Sequence, residues 1–322
     1  MRAVWLNEFG GPEALVPGEA PDPVPGAGQA VVRVEAVNVT FVETQVRAGR
    51  SPFGNPRLPV VPGNGVGGVV VSVGDGVDQG LVGARVVSTT GGSGGYAELV
   101  AVSAGDVVPV PDGLDVRVAT AVLADGRTAI GLTRLAGVAS GEWVLVEAAA
   151  GGVGSLLVQL ALAEGAKVVA AARGARKLDL ARELGAHVVV DYTSPKWTDE
   201  VLAATGGAGV DVVFDGVGGE IGTAALRLTA RGGRFVQSGL ASGEWTDTSG
   251  PEVAERGVRL LGLAQVAPTP AEFRRLIVDA LDAAASGRLR PVIGQTFPLE
   301  RAADAHAAIE ARAALGKTLL IP

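Results

Sequence analysis

The run of small residues from Ala148 to Gly154 has the composition of a loop that binds phosphate groups through its backbone. It follows the apolar, strand-like segment from Trp143 to Glu147 and leads directly into an amphipathic helical pattern. A strand that turns tightly into a helix brings backbone N–H groups and the positive end of the helix against an anion. Because small side chains allow close approach, we expect a dinucleotide pyrophosphate to lie against this loop. The predicted contacts are Ala150, Gly151, Gly152, Val153 and Gly154.

The loop departs from the usual G-x-G-x-x-G pattern, since Ala149 stands where that pattern has a glycine. In a chain with 48 glycines, the turn alone is a weak signal. The residues that follow strengthen it. Lys167 to Ala172 is strand-like, Ala175 to Leu184 has helical spacing and is followed by Gly185, and His187 to Val190 is again strand-like. This alternation predicts a doubly wound, parallel nucleotide-binding sheet.

The charge at the end of the second predicted strand indicates which dinucleotide binds. NAD-binding units commonly place Asp or Glu about 20 residues after the loop, where the carboxylate accepts from the adenosine ribose. Here that position holds Arg173, and Arg176 and Lys177 follow at the start of the next helix. Cations are unfavourable at a helix N-terminus unless an anion is near, so we expect a 2′-phosphate and a preference for NADPH over NADH. The alternative is that the three side chains form a solvated helix start.

The segments on either side of this unit have a different pattern. Up to residue 125, short alternating runs such as Ala30 to Ala36 are separated by clusters of glycine and proline, which predicts a mostly antiparallel, barrel-like β domain. From Val292 to Pro322 the chain returns to a strand–helix–strand pattern that we expect to rejoin that domain. The predicted architecture is α/β, with residues 1–125 and 268–322 in one domain and residues 126–267 in a cofactor-binding domain.

Composition argues against several kinds of function. The formal net charge is −7 and no basic stripe occurs, which disfavours nucleic-acid binding. The absence of cysteine excludes disulfides and thiolate zinc sites and fits a reducing, cytoplasmic location. We expect no signal peptide, because Met1 to Leu15 lacks an apolar core flanked by basic residues. We also expect no membrane span, because no apolar run reaches ~18 residues.

Six short motifs are spread over the whole chain. They are Phe9 to Leu15, Pro62 to Gly68, Gly95 to Glu98, Ala148 to Gly154, Asp215 to Gly219 and Gly316 to Leu319. Together they resemble the signatures of the zinc-independent quinone oxidoreductases of the medium-chain dehydrogenase/reductase superfamily. The resemblance implies a GroES-like β-barrel substrate domain, a Rossmann domain with a cleft between them, and a homodimer. It suggests that Val258 to Leu263 pairs as an edge strand between subunits.

The resemblance also implies which side chains surround the coenzyme. Lys177 and Tyr192 align with the family's contacts to the ribose phosphate. Thr128 is similar in placement to a threonine near the nicotinamide carboxamide. The ring itself is expected against loops at the carboxyl ends of parallel strands. Those loops contribute Val217, Ser238, Gly239 and Leu240.

Zinc-dependent members of the superfamily hold their metal through cysteine and histidine. This chain has no cysteine and only two histidines, His187 and His306, and Asn64 and Gly65 stand where those relatives have a Gly-His-Glu ligand turn. A zinc site needs three or four N, S or O ligands, so we expect chemistry without a metal. Both histidines are interpreted as structural or surface residues.

The segment that the resemblance places beside the substrate departs from the family pattern G-x-N-x-x-D-x-Y. Thr40 stands for the asparagine, Glu43 for the aspartate and Gln45 for the tyrosine. Thr40 and Gln45 are candidates to hydrogen-bond a substrate carbonyl; the alternative is that both line a polar turn. Without a phenol here, reduction of an enoyl thioester is disfavoured, because its enolate commonly needs such a donor. Asp125 is expected to pair with Arg127 across a turn; the alternative is an orienting role near the nicotinamide.

These observations predict an NADPH-dependent oxidoreductase that transfers hydride to a quinone or a similar electron-poor conjugated carbonyl. A quinone accepts hydride readily and its product anion can take a proton from solvent, so no strong general acid is required. Two alternatives stay open: a double-bond reductase for alkenals, alkenones or enoyl compounds, and a protein that binds NADPH without catalysis. The pocket shape depends on loops 49–60 and 240–256, which carry no familiar chemistry.

Overall fold

The computed structural model describes residues 1–51, 54–267 and 269–322. The chain divides into two compact units. Unit 1 comprises Met1–Gly126 and Ile277–Pro322, and unit 2 comprises Arg127–Leu276. Residues 52 and 53 of the loop 49–60, and residue 268 at the predicted domain boundary, lie outside the described residues. The predicted boundaries after residues 125 and 267 stay predictions.

The strands and helices follow one another in the order that the sequence patterns indicate. In chain order, the strands are β1 (Arg2–Leu6), β2 (Leu15–Glu19), β3 (Gln29–Val39), β4 (Gly65–Val73), β5 (Arg85–Thr89), β6 (Leu99–Ser103), β7 (Val108–Pro109), β8 (Trp143–Glu147), β9 (Lys167–Ala172), β10 (Val188–Asp191), β11 (Val210–Asp215), β12 (Thr229–Gln237), β13 (Arg259–Gly262), β14 (Ile293–Pro298) and β15 (Lys317–Ile321). The helices are α1 (Phe41–Arg47), α2 (Val116–Ala136), α3 (Gly152–Ala163), α4 (Ala175–Glu183), α5 (Trp197–Ala204), α6 (Gly219–Leu228), α7 (Pro251–Glu255), α8 (Pro270–Ala285) and α9 (Ala302–Glu310).

Unit 2 is built on a parallel sheet with the strand order β10-β9-β8-β11-β12-β13. Its strands are continuous apolar runs because both faces are covered; Val144, Leu145 and Val146 of β8 are fully buried. The order reverses between β8 and β11, which makes this the doubly wound sheet that the sequence predicts. In such sheets ligands bind outside the carboxyl ends of the strands, where the order reverses.

The turn from β8 into α3 is closely packed. Ala148 adopts the left-handed region with φ of 47°, which reverses the chain at the end of the strand. A Cβ atom on Gly154 would lie 2.2 Å from the carbonyl oxygen of Ala148. Only glycine therefore lets the first turn of α3 approach the strand end this closely. This is the packing role that the last glycine of a dinucleotide-binding loop has.

Unit 1 contains a mostly antiparallel sheet with the order β14-β15-β3-β4-β5-β7, to which β6 adds by pairing with β3, and a separate β1–β2 pair. The long strand β3 holds the sheet together because it pairs with β4, β6 and β15. Strand β15 follows unit 2 in the chain, yet it lies between β14 and β3. The segment after unit 2 therefore completes the sheet of unit 1, as the sequence pattern of the tail indicates.

Within the described residues, no helix is long and apolar enough to cross a membrane.

Candidate functional site

The predicted coenzyme contacts of unit 2 lie along one edge of its sheet. Each group follows the carboxyl end of a strand: residues 148–152 follow β8, Arg173 follows β9, Tyr192 follows β10, residues 216–218 follow β11 and residues 238–240 follow β12. Because these strands are parallel neighbours, their carboxyl ends meet at the same edge. The structure thus brings these loops together, and their contacts with a coenzyme stay a prediction.

The start of α3 offers donors to an anion. Gly151 is the N-cap, no side chain caps the helix, and its first turn contains no acidic residue. The Gly151 amide donates to the Ala148 carbonyl at 2.8 Å. The next amides, those of Gly152, Val153 and Gly154, have no acceptor within the helix, as at every helix start. A phosphate group placed there would accept from them and interact favourably with the helix dipole.

The basic segment after β9 is anchored by an acid. Arg173 and Arg176 are exposed and Lys177 is half-buried. The Gly174 amide donates to Asp191 Oδ2 at 2.9 Å, which joins the end of β9 to the end of β10. Burial raises the pKa of Asp191, but hydrogen bonds from Thr193 and Gly174 and the charge of Arg173 outweigh it, so the pKa lies below its usual value. The ionised carboxylate fixes the loop that carries Arg173.

Tyr192 is 9% exposed and belongs to the apolar core of unit 2. It also lines a cavity of about 590 Å³ together with Trp197, Ile221, Ala224 and Arg227. Most of the tyrosine side chain packs against this core. Its contact with a ribose phosphate stays a prediction.

Two buried acids at the edge of the sheet were not anticipated from the sequence. Glu147 is the last residue of β8 and Asp215 the last of β11, and they are 2% and 0% exposed. The Val217 amide lies 3.0 Å from Asp215 Oδ1 and 3.3 Å from Glu147 Oε2, so it donates towards both. The signal that could have found the pair is an acid at the end of each of two otherwise apolar strands.

The loops after β11 and β12 touch each other. The Ser238 amide and hydroxyl both donate to the Asp215 carbonyl, at 2.8 and 2.9 Å. A Cβ atom on Gly239 would lie 2.7 Å from the carbonyl oxygen of Gly216. Close backbone contact therefore fixes Val217 and Gly239, two predicted contacts of the coenzyme ring, relative to each other.

Thr40 and Gln45, the candidates for a substrate carbonyl, lie at α1 in unit 1. The Thr40 amide donates to Glu43 Oε2 at 2.6 Å, and the Thr40 hydroxyl lies 3.3 Å from the same oxygen. Gln45 Nε2 donates to the Thr44 hydroxyl at 3.2 Å. These contacts are typical of a polar helix start, which was the alternative interpretation. A role in substrate binding stays a prediction, as does that of Thr128, a half-buried residue of α2 in unit 2.

Glu43 is held inside unit 1. It is 6% exposed, and its Oε1 accepts from the Asn64 amide at 2.8 Å. Burial raises the pKa of Glu43, although the amides of Thr40 and Asn64 and the charge of Lys317 act in the opposite direction. Glu43 therefore joins α1 to the turn at Asn64.

The ion pair that the structure records for Asp125 is with Lys317, at 3.1 Å between Oδ2 and Nζ. Sequence spacing pointed to the neighbouring Arg127 and gave no sign of Lys317. The Arg127 guanidinium lies over the ring of Phe273, 3.9 Å from its centroid, and its pairing with Asp125 stays a prediction.

Both histidines have structural contacts. His306 is fully buried in α9, and its Nε2 lies 2.7 Å from the Tyr96 hydroxyl. His187 precedes β10, and its Nδ1 accepts from the Val168 amide at 3.2 Å. In the part of the chain that the structure describes, no group of three or more His, Cys, Asp or Glu side chains is arranged to hold a metal ion.

Two family models match the chain. The model described as alcohol dehydrogenase GroES-like domain matches residues 26–112, and the model described as zinc-binding dehydrogenase matches residues 152–282. A quinone oxidoreductase from Rattus norvegicus is 33% identical over 100% of this chain and 98% of its own length.

Solved structures of the same fold include two complexes with NADPH. A mycobacterial protein in complex with NADPH has a TM-score of 0.91 and 36% identity. The Escherichia coli quinone oxidoreductase in complex with NADPH has a TM-score of 0.92 and 30% identity. Each match covers 100% of both chains. Together with the family models, these structures confirm the predicted α/β fold with a GroES-like and a Rossmann-like part.

Proposed function

We propose, since this chain belongs to the quinone oxidoreductase family of the medium-chain dehydrogenase/reductase superfamily, that it reduces a quinone with NADPH and without a metal. The observation that carries the proposal is the uncapped start of α3, which presents backbone amides at the point where the order of the parallel strands reverses. The coenzyme is NADPH, as in the two solved relatives.

The residues of this chain fit that coenzyme. Ala150, Gly151, Gly152, Val153 and Gly154 form a loop without bulky side chains, and no acid in the first turn of α3 would repel a pyrophosphate. Arg173 and Lys177 would hold the 2′-phosphate, because a guanidinium and an ammonium group favour the extra negative charge. Tyr192 would also contact the ribose phosphate. When bound, NADPH supplies a hydride.

The protein's part in the reaction is to orient and to bind. The loops that carry Val217, Ser238, Gly239 and Leu240 would support the nicotinamide ring, with Thr128 beside its carboxamide. Thr40 and Gln45 would hydrogen-bond the carbonyl of the substrate. A quinone needs no strong general acid from the protein, because its reduced anion takes a proton from solvent. This suits a segment that has Gln45 where a phenol is usual.

The chain's own residues support chemistry without zinc. It contains no cysteine, and His187 and His306 are both engaged in the packing of their units. A zinc site needs three or four N, S or O ligands. Activity that survives dialysis against a strong chelator would support this part of the proposal, and activity restored only by added zinc would contradict it.

The function is tested by steady-state oxidation of NADPH with a panel of quinones and a panel of alkenals and alkenones. We expect turnover with quinones to have the higher kcat/KM. Faster turnover of alkenones would favour the alternative, a double-bond reductase. Saturable binding of NADPH in calorimetry with no turnover on either panel would favour the second alternative, a protein that binds NADPH without catalysis.

We further propose a homodimer. Strand β13 lies at the end of the parallel sheet and pairs only with β12 among the described strands. Leu260 and Leu263, in and just after β13, are 41% and 37% exposed. An exposed apolar edge strand favours pairing with another chain. Light scattering of the purified protein should give twice the mass of the chain, and Leu260→Lys should shift it to the monomer. The predicted cytoplasmic location and the absence of nucleic-acid binding stay predictions.

A further inference from the structure

The two strands on either side of the point where the sheet order reverses both end in a buried acid. Strands β8 and β11 are parallel neighbours, with Val146 opposite Phe214 in the ladder. Glu147 and Asp215 follow these residues, so their carboxyl groups lie at the same edge and next to the loops expected to hold the coenzyme. Two ionised carboxylates so close together and shielded from water would repel each other strongly.

The two acids differ in the hydrogen-bond donors around them. Asp215 Oδ1 accepts from the amides of Val217 and Gly218, at 3.0 and 2.7 Å. Its Oδ2 accepts from the Thr246 hydroxyl at 2.5 Å. Both oxygens of Asp215 therefore have donors, as a buried carboxylate needs.

Glu147 has fewer hydrogen-bond donors around its carboxyl group. Its Oε2 accepts the longer, shared hydrogen bond from Val217 at 3.3 Å, the Gly216 amide also acts on the carboxyl group, and its buried Oε1 has no donor among the described residues. Burial, and then the charge of Asp215, raise the pKa of Glu147 well above its usual value. A side-chain hydrogen bond with Asp215 also raises this pKa, and the amides of Val217 and Gly216 lower it. Ala171, an apolar residue, lies opposite on β9. With a proton, Glu147 can donate to Asp215 instead of repelling it.

We propose that Glu147 is a positioning residue of the coenzyme site: it keeps its proton, shares it with Asp215, and so fixes the loop 216–218. Asp215 holds the amides of Val217 and Gly218 directly, and Glu147 supports Asp215 from the neighbouring strand. The pair then carries one negative charge instead of two beside the loop for the pyrophosphate. The inference deepens the proposed function and rests on it, because it assigns a role in binding NADPH.

The neutral isostere Glu147→Gln tests the role of the shared proton. Its amide group can donate to Asp215 as the protonated acid does, so we expect NADPH to bind within about twofold of the wild-type affinity. Glu147→Leu removes the donor but leaves an apolar side chain of similar volume, and we expect the Kd for NADPH to rise at least about tenfold, the scale of one buried hydrogen bond. Glu164→Gln, on an exposed residue after α3, is the matched control.

A second measurement does not depend on the coenzyme. Infrared difference spectra of the free protein should show the C=O band of a protonated carboxyl group in the wild type and in Glu164→Gln, and lose one such band in Glu147→Gln. Identical bands in Glu147→Gln and the wild type would overturn the inference. So would wild-type affinity in Glu147→Leu. If the wild type itself binds no NADPH, the proposed function fails, and the infrared band still shows whether the proton resides on Glu147.

Discussion

Lys317 and Asp125 form an ion pair inside unit 1, with 3.1 Å between Nζ and Oδ2 and side chains only 3% and 10% exposed. Lys317 begins β15 and Asp125 lies in α2. The charge of Lys317 also acts on the buried Glu43 beside α1. One ammonium group thus compensates two buried acids and connects three elements that are distant in sequence.

Replacing Lys317 by methionine should destabilise the protein strongly. The substitution keeps the volume of the side chain but leaves Asp125 in the interior without its cation, and breaking a buried pair in this way costs about 3–5 kcal/mol. Urea unfolding followed by circular dichroism measures the change. Lys196→Met, at an exposed lysine, is the control and should stay within about 0.5 kcal/mol of the wild type. Equal losses in the two variants would contradict a role for the pair.

Gly154→Ala should damage the coenzyme loop. The new Cβ atom would lie 2.2 Å from the Ala148 carbonyl oxygen, and a backbone atom cannot move aside as the end of a flexible side chain can. We expect a loss of about 1–3 kcal/mol in stability and at least a tenfold weaker NADPH affinity, because the first turn of α3 must shift away from β8. Calorimetric titration gives the affinity. Ala163→Ser, at an exposed position of the same helix, should bind as the wild type does.

Arg173→Glu combined with Lys177→Ala should reverse the preference for NADPH over NADH. The change removes the cations expected at the 2′-phosphate and supplies a carboxylate that can accept from the ribose hydroxyl groups. The ratio of kcat/KM for the two coenzymes is the measurement. Arg182→Glu makes the same change of charge as Arg173→Glu at the other end of α4 and should keep the wild-type ratio. An unchanged ratio in the double variant would refute the assignment.

The buried His306 should make unit 1 sensitive to acid. Burial, and then the charge of Arg47, lower its pKa to about 3. Between pH 6.5 and about 3 the unfolded chain therefore binds a proton that the folded protein does not, so stability falls as the pH falls, by up to about 1.4 kcal/mol per unit.

Unfolding free energies of the wild type and His306→Gln at a series of pH values measure this effect. The difference between them should shrink steadily as the pH falls from 6.5. Tyr96→Phe removes the hydrogen-bond partner but keeps the buried imidazole, and it should retain the wild-type slope. A constant difference between the wild type and His306→Gln would exclude His306 as the source.

Local patterns predict local structure well in this chain. Helix α2 spans Val116–Ala136, where apolar residues recur at helical spacing over five turns. Strand β12 begins at Thr229, although the apolar, strand-like residues of this segment begin only after Arg234. Its first residues include Gly232 and Gly233, which lack strand character, and the ladder with β11 shifts register there. Pairing with a neighbour extends the strand beyond what its own residues indicate.

Contacts between ionisable side chains that are distant in sequence could not be predicted in the same way. Glu147 and Asp215 end different strands, and Asp125 and Lys317 lie on opposite sides of unit 2 in the chain. Spacing gives the face on which a side chain lies, but not which distant element lies opposite. The order of strands in the sheet supplies that information, and it emerges only from the packing of the whole unit.

Strand β15 has a consequence for how the protein is made. Its partners in β3 are Val37, Asn38 and Val39, and all of Arg127–Leu276 leaves the ribosome before β15 does. During synthesis, these residues of β3 lack their partner strand until β15 has been made, whereas unit 2 can already fold. A chaperone would be needed most during this interval, and a premature stop codon before β15 would leave these residues of β3 without that partner.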